Sequence, residues 1–218
     1  MRRYKMPEDL VQKHFDKEAE NFDSIYTGQK NAFSRFLDKK LRWDMERRFS
    51  RTIEECGDVT GKTIIDVGCG SGRFMEALQD KDPKLILGVD FAPTMLEIAK
   101  EILFKKKPDS PCRFAVGDYN DLSFKQPFNI TIGIGLFDYI AKPLPMLKKM
   151  RQTTDGKLIA TFPRRGTLRA GIRKIRLSLH KCPVFFFSPD EVTDMLKKAG
   201  FTDVKQEIFG QLIFITAM

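Results

Sequence analysis

From residue 62 to residue 199 the chain alternates short apolar runs with amphipathic stretches, and this alternation restricts it to very few architectures. Residues 62–67 (KTIIDV), 84–89 (KLILGV), 112–116, 128–134 and 156–162 (GKLIATF) read as strands. Residues 73–79, 93–106, 144–154 and 188–199 read as helices, with Pro93 in a first turn and Ser188 and Pro189 as cap and first position. Strands joined through helices require crossover connections and therefore a parallel sheet, covered on both faces, which suits the unbroken apolar character of KTIIDV and KLILGV. Residues 201–218 read as two further strands turning near Gly210, so one of them runs antiparallel. A sheet of this kind takes its ligand at the carboxyl ends of the strands, where the strand order reverses.

The first sixty residues have a different period. Phe15, Phe22, Tyr26, Phe33, Phe36, Leu37, Leu41, Trp43, Phe49 and Ile53 recur at spacings of three and four among charges, which predicts amphipathic helices over 8–26 and 31–56. The expected organisation is a helical cap over 1–59 and a sheet domain over 60–218 that carries a basic insertion at 163–187. The cap would either cover the sheet or close an apolar pocket with Phe22, Tyr26 and Trp43.

Lys and Arg outnumber Asp and Glu by 38 to 29, a net charge of +9, and the excess is local. Residues 164–181 contain Arg164, Arg165, Arg169, Arg173, Lys174, Arg176 and Lys181 and no acid, so the rest of the chain is nearly balanced. Leu168, Ile172, Ile175 and Leu179 form an apolar stripe at helical spacing beside these cations. The segment reads as a solvated helix face, as guanidinium forks for an anionic substrate, or as a peripheral contact with anionic lipid. Nucleic acid is disfavoured, because no aromatic residues are interleaved with the cations.

No apolar run approaches the roughly 18 residues needed to span a bilayer. The charged start MRRYKMPEDL does not resemble a secretory signal. Cys56, Cys69, Cys112 and Cys182 are scattered without a C-x-x-C pair, so no disulfide framework and no metal are expected, and the reading is a reducing cytoplasm.

The chemistry concentrates at Ile64-Ile65-Asp66-Val67-Gly68-Cys69-Gly70-Ser71-Gly72. Glycines at a strand's end let the main chain turn tightly and approach a ligand, with the next helix directing free N–H groups at it. A dinucleotide fingerprint would need its third glycine where Arg73 stands. Asp66 moreover puts a carboxylate where a pyrophosphate would lie, which favours a ligand bearing an ammonium group, such as S-adenosylmethionine. Asp90 closes the second strand, where a carboxylate can accept both hydroxyls of a ribose. Gly117-Asp118-Tyr119 follows the third strand, and Gly133-Ile134-Gly135-Leu136-Phe137-Asp138-Tyr139 the fourth.

Over residues 60–160 these motifs resemble the class I S-adenosylmethionine-dependent methyltransferases. The resemblance implies an α/β, Rossmann-like, seven-stranded and mostly parallel sheet with the last strand antiparallel and helices on both faces. It implies that Gly68, Cys69, Gly70 and Gly72 approach the methionine part and that Asp66 holds its amino group. Asp90 would bind the ribose, with Phe91 and Met95 near the adenine. Asp118 and Tyr119 would define the adenine pocket, and the main chain of Ile134, Gly135 and Leu136 would lie beside the sulfonium. Asn129 departs from the pattern, since many members have Asp there, and is taken as an edge position. The helical start and the basic segment after the fifth strand also resemble, in layout, the magnesium-protoporphyrin O-methyltransferases.

The expected reaction is therefore methyl transfer to a small, anionic or amphipathic acceptor, at oxygen in preference to nitrogen, leaving S-adenosylhomocysteine. Where the acceptor needs a base, His180, Tyr26 and Tyr139 are the candidates; Arg164, Arg165, Arg169 and Arg173 are the candidates for its anionic group. Two alternatives stand beside this: an RNA or protein methyltransferase using the basic helix, and a non-catalytic subunit of the same fold binding a partner or a membrane surface.

Overall fold

The computed structural model describes residues 45–166 and 184–218. A helix over 45–56 (α1) leads to β1 (Thr63–Val67), α2 (Arg73–Leu78), β2 (Leu85–Asp90), α3 (Pro93–Lys106), β3 (Cys112–Val116) and β4 (Phe128–Gly133). After a single 3-10 turn, Phe137–Tyr139, come α4 (Leu144–Gln152), β5 (Thr154–Pro163), α5 (Pro189–Ala199), β6 (Lys205–Phe209) and β7 (Leu212–Ala217). The seven strands form one sheet in the order β3-β2-β1-β4-β5-β7-β6. Pairings among β1 to β5 are parallel, while β7 runs antiparallel to both β5 and β6. The expected Rossmann-like architecture is present. The order reverses between β1 and β4, so the ligand crevice belongs at their carboxyl ends.

Successive residues of a strand face opposite sides, and the sheet sorts its core accordingly. Ile64, Ile86, Ile132 and Ile159 face α2 and α3, packing with Met75, Leu78, Leu96 and Leu103. Ile65, Val67, Leu158 and Phe162 face α4 and α5, packing with Leu147, Met150, Val192 and Leu196. Each such fully buried side chain contributes about 1.5–3 kcal/mol of transfer free energy. Ile53 and Cys56 of α1 pack in the first of these cores, so the end of the segment read as a cap is built into the sheet's own interior. The preceding residues 1–44 and the basic stretch 167–183 lie outside the described residues.

Local signals act where expected. Ser188 Oγ accepts from Glu191 N at 3.2 Å while Glu191 accepts from Ser188 N at 2.7 Å, a reciprocal cap that starts α5, and Gly200 at φ 96° ends it. Two expectations are corrected. Gly156 does not open β5 but sits at a bulge inside it: a Cβ there would lie 2.3 Å from Asn129 O, so only glycine lets β4 approach. Asn129 is not at an edge, because β4 lies between β1 and β5. Its Oδ1 accepts from Thr63 N at 2.9 Å and its Nδ2 donates to Asp155 Oδ1 at 3.2 Å, joining three strands at the end opposite the crevice.

Candidate active site

β1 delivers Asp66 into the interior, where it is 2 % exposed, and the chain then turns through Gly68, Gly70 and Gly72, all at positive φ. The turn is tied to β2 by Gly68 N to Val89 O at 2.8 Å and by Gly70 N to the Asp90 carboxylate at 2.9 Å. Asp90 also accepts from Ala92 N at 2.9 Å, so its two oxygens organise both the glycine turn and the start of α3. A carboxylate only accepts hydrogen bonds, which is the chemistry a pair of ligand hydroxyls requires.

Asp66 Oδ2 has no hydrogen-bond partner among the described residues. Burial, and after it the neighbouring charge of Asp90, pushes the Asp66 carboxyl up to about 8. An orphaned acceptor in such a place is an unusual expense for a fold, and a cationic hydrogen-bond donor would relieve it. A ligand ammonium supplies both charge and donor. The same surroundings, burial first and then Asp66 and Asp90, raise the Cys69 thiol well above its ordinary value, so that side chain is an inert part of the wall.

The predicted residues do converge. A Cβ on Gly68 would meet Leu136 Cδ1 at 3.2 Å and one on Gly70 would meet Met95 Cε at 3.4 Å, so the turn lies between the exit of β4 and the start of α3. Phe91 and Met95 pack together with Ala92 and Ile98 beside it. The exit of β4 is held open by Gly135 at φ 76°, whose N–H donates to Thr161 Oγ1 at 3.0 Å. Ile134 is buried there and Tyr139 is half-buried two turns of chain further on. Asp118, half-buried, accepts from Asn120 N at 2.8 Å and stabilises the loop after β3.

Three placements differ from expectation. Gly72 faces α3 rather than the crevice: a Cβ there would lie 2.7 Å from Leu103 Cδ1, so its smallness serves helix packing. The Tyr119 side chain points into the core, 2 % exposed, with its hydroxyl on Thr153 and its ring tilted against Phe124, because an apolar ring beside β4 has more to gain inside than at a wet pocket. Arg164 and Arg165 are engaged by the scaffold. Arg164 donates from its main-chain N–H to Gln211 O at 2.7 Å and from Nη1 to Gly210 O at 3.5 Å, and Arg165 bridges to Glu191 at 3.1 Å and donates to Phe186 O. Phe187 packs edge-on against Phe162 at 5.7 Å and pairs with the end of β5 as a short extension of the sheet. His180, Tyr26, Arg169 and Arg173 fall outside the described residues.

Four contributors escaped the sequence reading. Thr161 holds Gly135. Gly88 leaves room for Met75 and Cys69, whose sulfurs would lie 2.6 and 2.9 Å from a Cβ. Lys149 donates to Asn120 O and Leu122 O, anchoring the loop after β3. Arg48 of α1 reaches the exit of β4, with Nη1 3.7 Å from where a Gly135 Cβ would be. Only Gly88 carried a local signal, a glycine inside a strand.

Comparison with known proteins agrees with this geometry. Residues 58–200 match the family model described as Methyltransferase domain. A demethylmenaquinone methyltransferase of Lactococcus lactis is 32% identical, with 94% of this chain and 87% of that protein covered. A malonyl-[acyl-carrier protein] O-methyltransferase of Acetivibrio thermocellus is 28% identical, with 70% of this chain and 49% of that protein covered. The chain thus spans about half the length of the malonyl-[acyl-carrier protein] O-methyltransferases it matches. Among solved structures, magnesium protoporphyrin IX methyltransferase from Synechocystis PCC 6803 with bound SAH superposes with a TM-score of 0.78 at 18% identity, covering 96% of this chain and 98% of that one. With the family match extending from before β1 to the end of α5 and the crevice built as above, the chain belongs to the methyltransferase domain family, the class I S-adenosylmethionine-dependent methyltransferases.

Proposed function

We propose that this protein transfers a methyl group from S-adenosylmethionine to a small acceptor carrying an acidic group, at oxygen in preference to nitrogen. The observation that carries the reading is Asp66, a buried carboxyl with an orphaned oxygen at the head of a glycine turn, suited to the cofactor's ammonium group. Asp90, positioned at the end of β2 by its bonds to Gly70 and Ala92, takes the ribose hydroxyls. Phe91 and Met95 supply the apolar wall for the adenine. Asp118 takes its exocyclic amine, and what Tyr119 can offer is main chain rather than its side chain.

Bound in this way, S-adenosylmethionine would supply the methyl group, which passes in line to the nucleophile as its bond to sulfur breaks and S-adenosylhomocysteine leaves as the neutral thioether. The protein's part is to fix the partners collinearly and keep water out. Gly135, held by Thr161 at the exit of β4, carries no side chain and so leaves the main chain there able to lie beside the reacting centre. A carboxylate acceptor needs no base, consistent with the O-methyltransferases among the relatives. For a hydroxyl acceptor, Tyr139 stands at the same exit and is the described candidate for the base.

Titration calorimetry with S-adenosylhomocysteine tests the cofactor half. Binding at submillimolar concentration that Asp66→Asn and Asp90→Ala each weaken supports it; no binding by the parent protein refutes it. The acceptor half is tested by incubating the protein with methyl-labelled cofactor and a metabolite extract. A labelled product that alkali hydrolyses to an acid is expected, and a product labelled only at nitrogen would overturn the preference for oxygen.

A further inference from the structure

Residues 117–127, all among the described residues, carry the chain from β3 to β4 past β2 and β1 without forming a helix. A crossover between parallel strands is usually a helix, whose own hydrogen bonds fix its shape. This one must be held from outside. Tyr119, Leu122 and Phe124 pack into the core shared with α4, and Phe124 meets Phe128 edge-on at 5.4 Å.

The stretch that carries Asp118 is held differently, by polar contacts. Gly117 N donates to Asp90 O at 3.0 Å, which ties its start to the end of β2. Asp118 Oδ1 accepts from Asn120 N at 2.8 Å and from Asn120 Nδ2 at 3.0 Å, and Asp121 N donates to Asp118 O at 2.9 Å. These bonds close a turn in which the carboxylate is fixed relative to Asn120. Lys149 of α4 then fastens the turn to the body of the protein: its Nζ donates to both Asn120 O and Leu122 O and lies 5.4 Å from the centre of the Tyr119 ring. α4 is itself anchored by the buried Met146, Leu147 and Met150, so a half-buried ammonium on a fixed helix grips two carbonyls of a segment that has no helix of its own.

We propose that Lys149 is a positioning residue for the nucleobase end of the cofactor: by holding Asn120 and Leu122 it sets where the Asp118 carboxylate stands, and so how strictly the protein demands an exocyclic amine on the purine. This rests on the proposed contact between Asp118 and the adenine amine, and it adds a residue that touches neither the ligand nor Asp118. The selectivity for adenine is then built on α4 as well as on the loop after β3.

The test compares two ligands on the full chain: S-adenosylhomocysteine and S-inosylhomocysteine, which puts a carbonyl oxygen where the amine stood and so faces Asp118 with a second acceptor. Calorimetry should show the parent preferring the first by roughly 10-fold or more. Lys149→Met, similar in length and without charge, should weaken S-adenosylhomocysteine roughly 5- to 10-fold and change S-inosylhomocysteine by no more than about 2-fold. Lys149→Gln, too short to reach both carbonyls, should behave in the same way, whereas Lys149→Arg, which can still donate to both, should keep most of the preference. Asp118→Ala should abolish the preference, and adding Lys149→Met to it should weaken S-adenosylhomocysteine no further, because the lysine acts through that carboxylate. Thermal melts without ligand check that the variants fold. If the variants that lose the charge keep the parent's preference, weaken both ligands equally, or add their full effect to that of Asp118→Ala, the assignment is wrong. A parent that binds both ligands equally, or a preference that survives in Asp118→Ala, would instead refute the contact between Asp118 and the amine, and the positioning with it; a parent that binds neither would refute the cofactor reading itself.

Discussion

The Asp90 carboxylate accepts the Gly70 N–H at 2.9 Å, so the end of β2 holds the glycine turn that follows β1. An acid read from the sequence as a ribose ligand is thus also a brace for the loop that receives the other half of the same ligand. Asp90→Ala should leave two main-chain N–H groups, those of Gly70 and Ala92, without their acceptor. We expect a stability loss of about 1–3 kcal/mol and, because contact and brace are lost together, a fall of roughly 100-fold or more in affinity for S-adenosylhomocysteine. Asp90→Asn keeps one acceptor oxygen and should recover part of both. Denaturant melts and calorimetry separate the two effects; unchanged stability would remove the brace from the account.

Asp66 makes binding proton-linked. With its carboxyl at about 8 it is largely protonated at pH 7, and a ligand ammonium that favours the carboxylate should displace that proton. Calorimetry in buffers of different ionisation enthalpy should therefore show nearly one proton released per ligand near pH 7 and almost none above pH 9. Asp66→Asn should abolish the release. The same shift acts on the ligand-free fold. Between the ordinary 3.8 and about 8 the native state holds a proton that the unfolded chain has lost, so this group's contribution to stability is complete below that window and declines as pH rises through it. Melting temperature followed from pH 5 to 8 should fall less steeply in Asp66→Asn than in the parent.

Tyr119 separates a residue of the core from a residue of the pocket. Its hydroxyl meets Thr153 where α4 turns into β5, and its ring packs with Phe124 against Phe128. Tyr119→Phe should cost about 0.5–1.5 kcal/mol of stability while leaving S-adenosylhomocysteine affinity within about 2-fold. A large affinity loss with little change in stability would return the side chain to the adenine pocket.

How much of this could be read in advance depends on the range of each interaction. Strands such as TIIDV and the capped helix α5 announce themselves because burial on both faces and a reciprocal cap are written within a few consecutive residues. The glycine turn and Asp90 were legible for the same reason: the turn is local, and its partner sits one helix and one strand away. What stayed hidden depends on contacts between distant segments. Nothing near Tyr119 reveals that Thr153 waits for its hydroxyl, and nothing within α1 reveals that Arg47 and Arg51 both reach Glu207 of β6 until the helix has been laid on the sheet. The arginines after β5 looked the better anion site by charge density alone, yet Arg165 turns back to the cap residue Glu191, a tie visible only once α5 is docked.

Thr161 gives the most direct check on how the exit of β4 is held. It is fully buried in β5, and its hydroxyl accepts the Gly135 N–H at 3.0 Å, while one residue on, Phe162 stacks on Phe137 at 4.2 Å. The stacked pair would hold the 3-10 turn in place without the hydroxyl, so Thr161→Val, nearly equal in volume, removes one interaction and leaves the packing. The Gly135 N–H then loses its acceptor, at about 1–3 kcal/mol. Because Gly135 is at positive φ and can relax without a side chain to clash, the freed segment should move rather than the whole fold weaken. Hydrogen exchange should therefore quicken at residues 134–136 while β1 and β2 keep their protection, and methyl transfer should slow more than S-adenosylhomocysteine binding weakens. Uniform loss of protection across the sheet would show instead that Thr161 serves general packing.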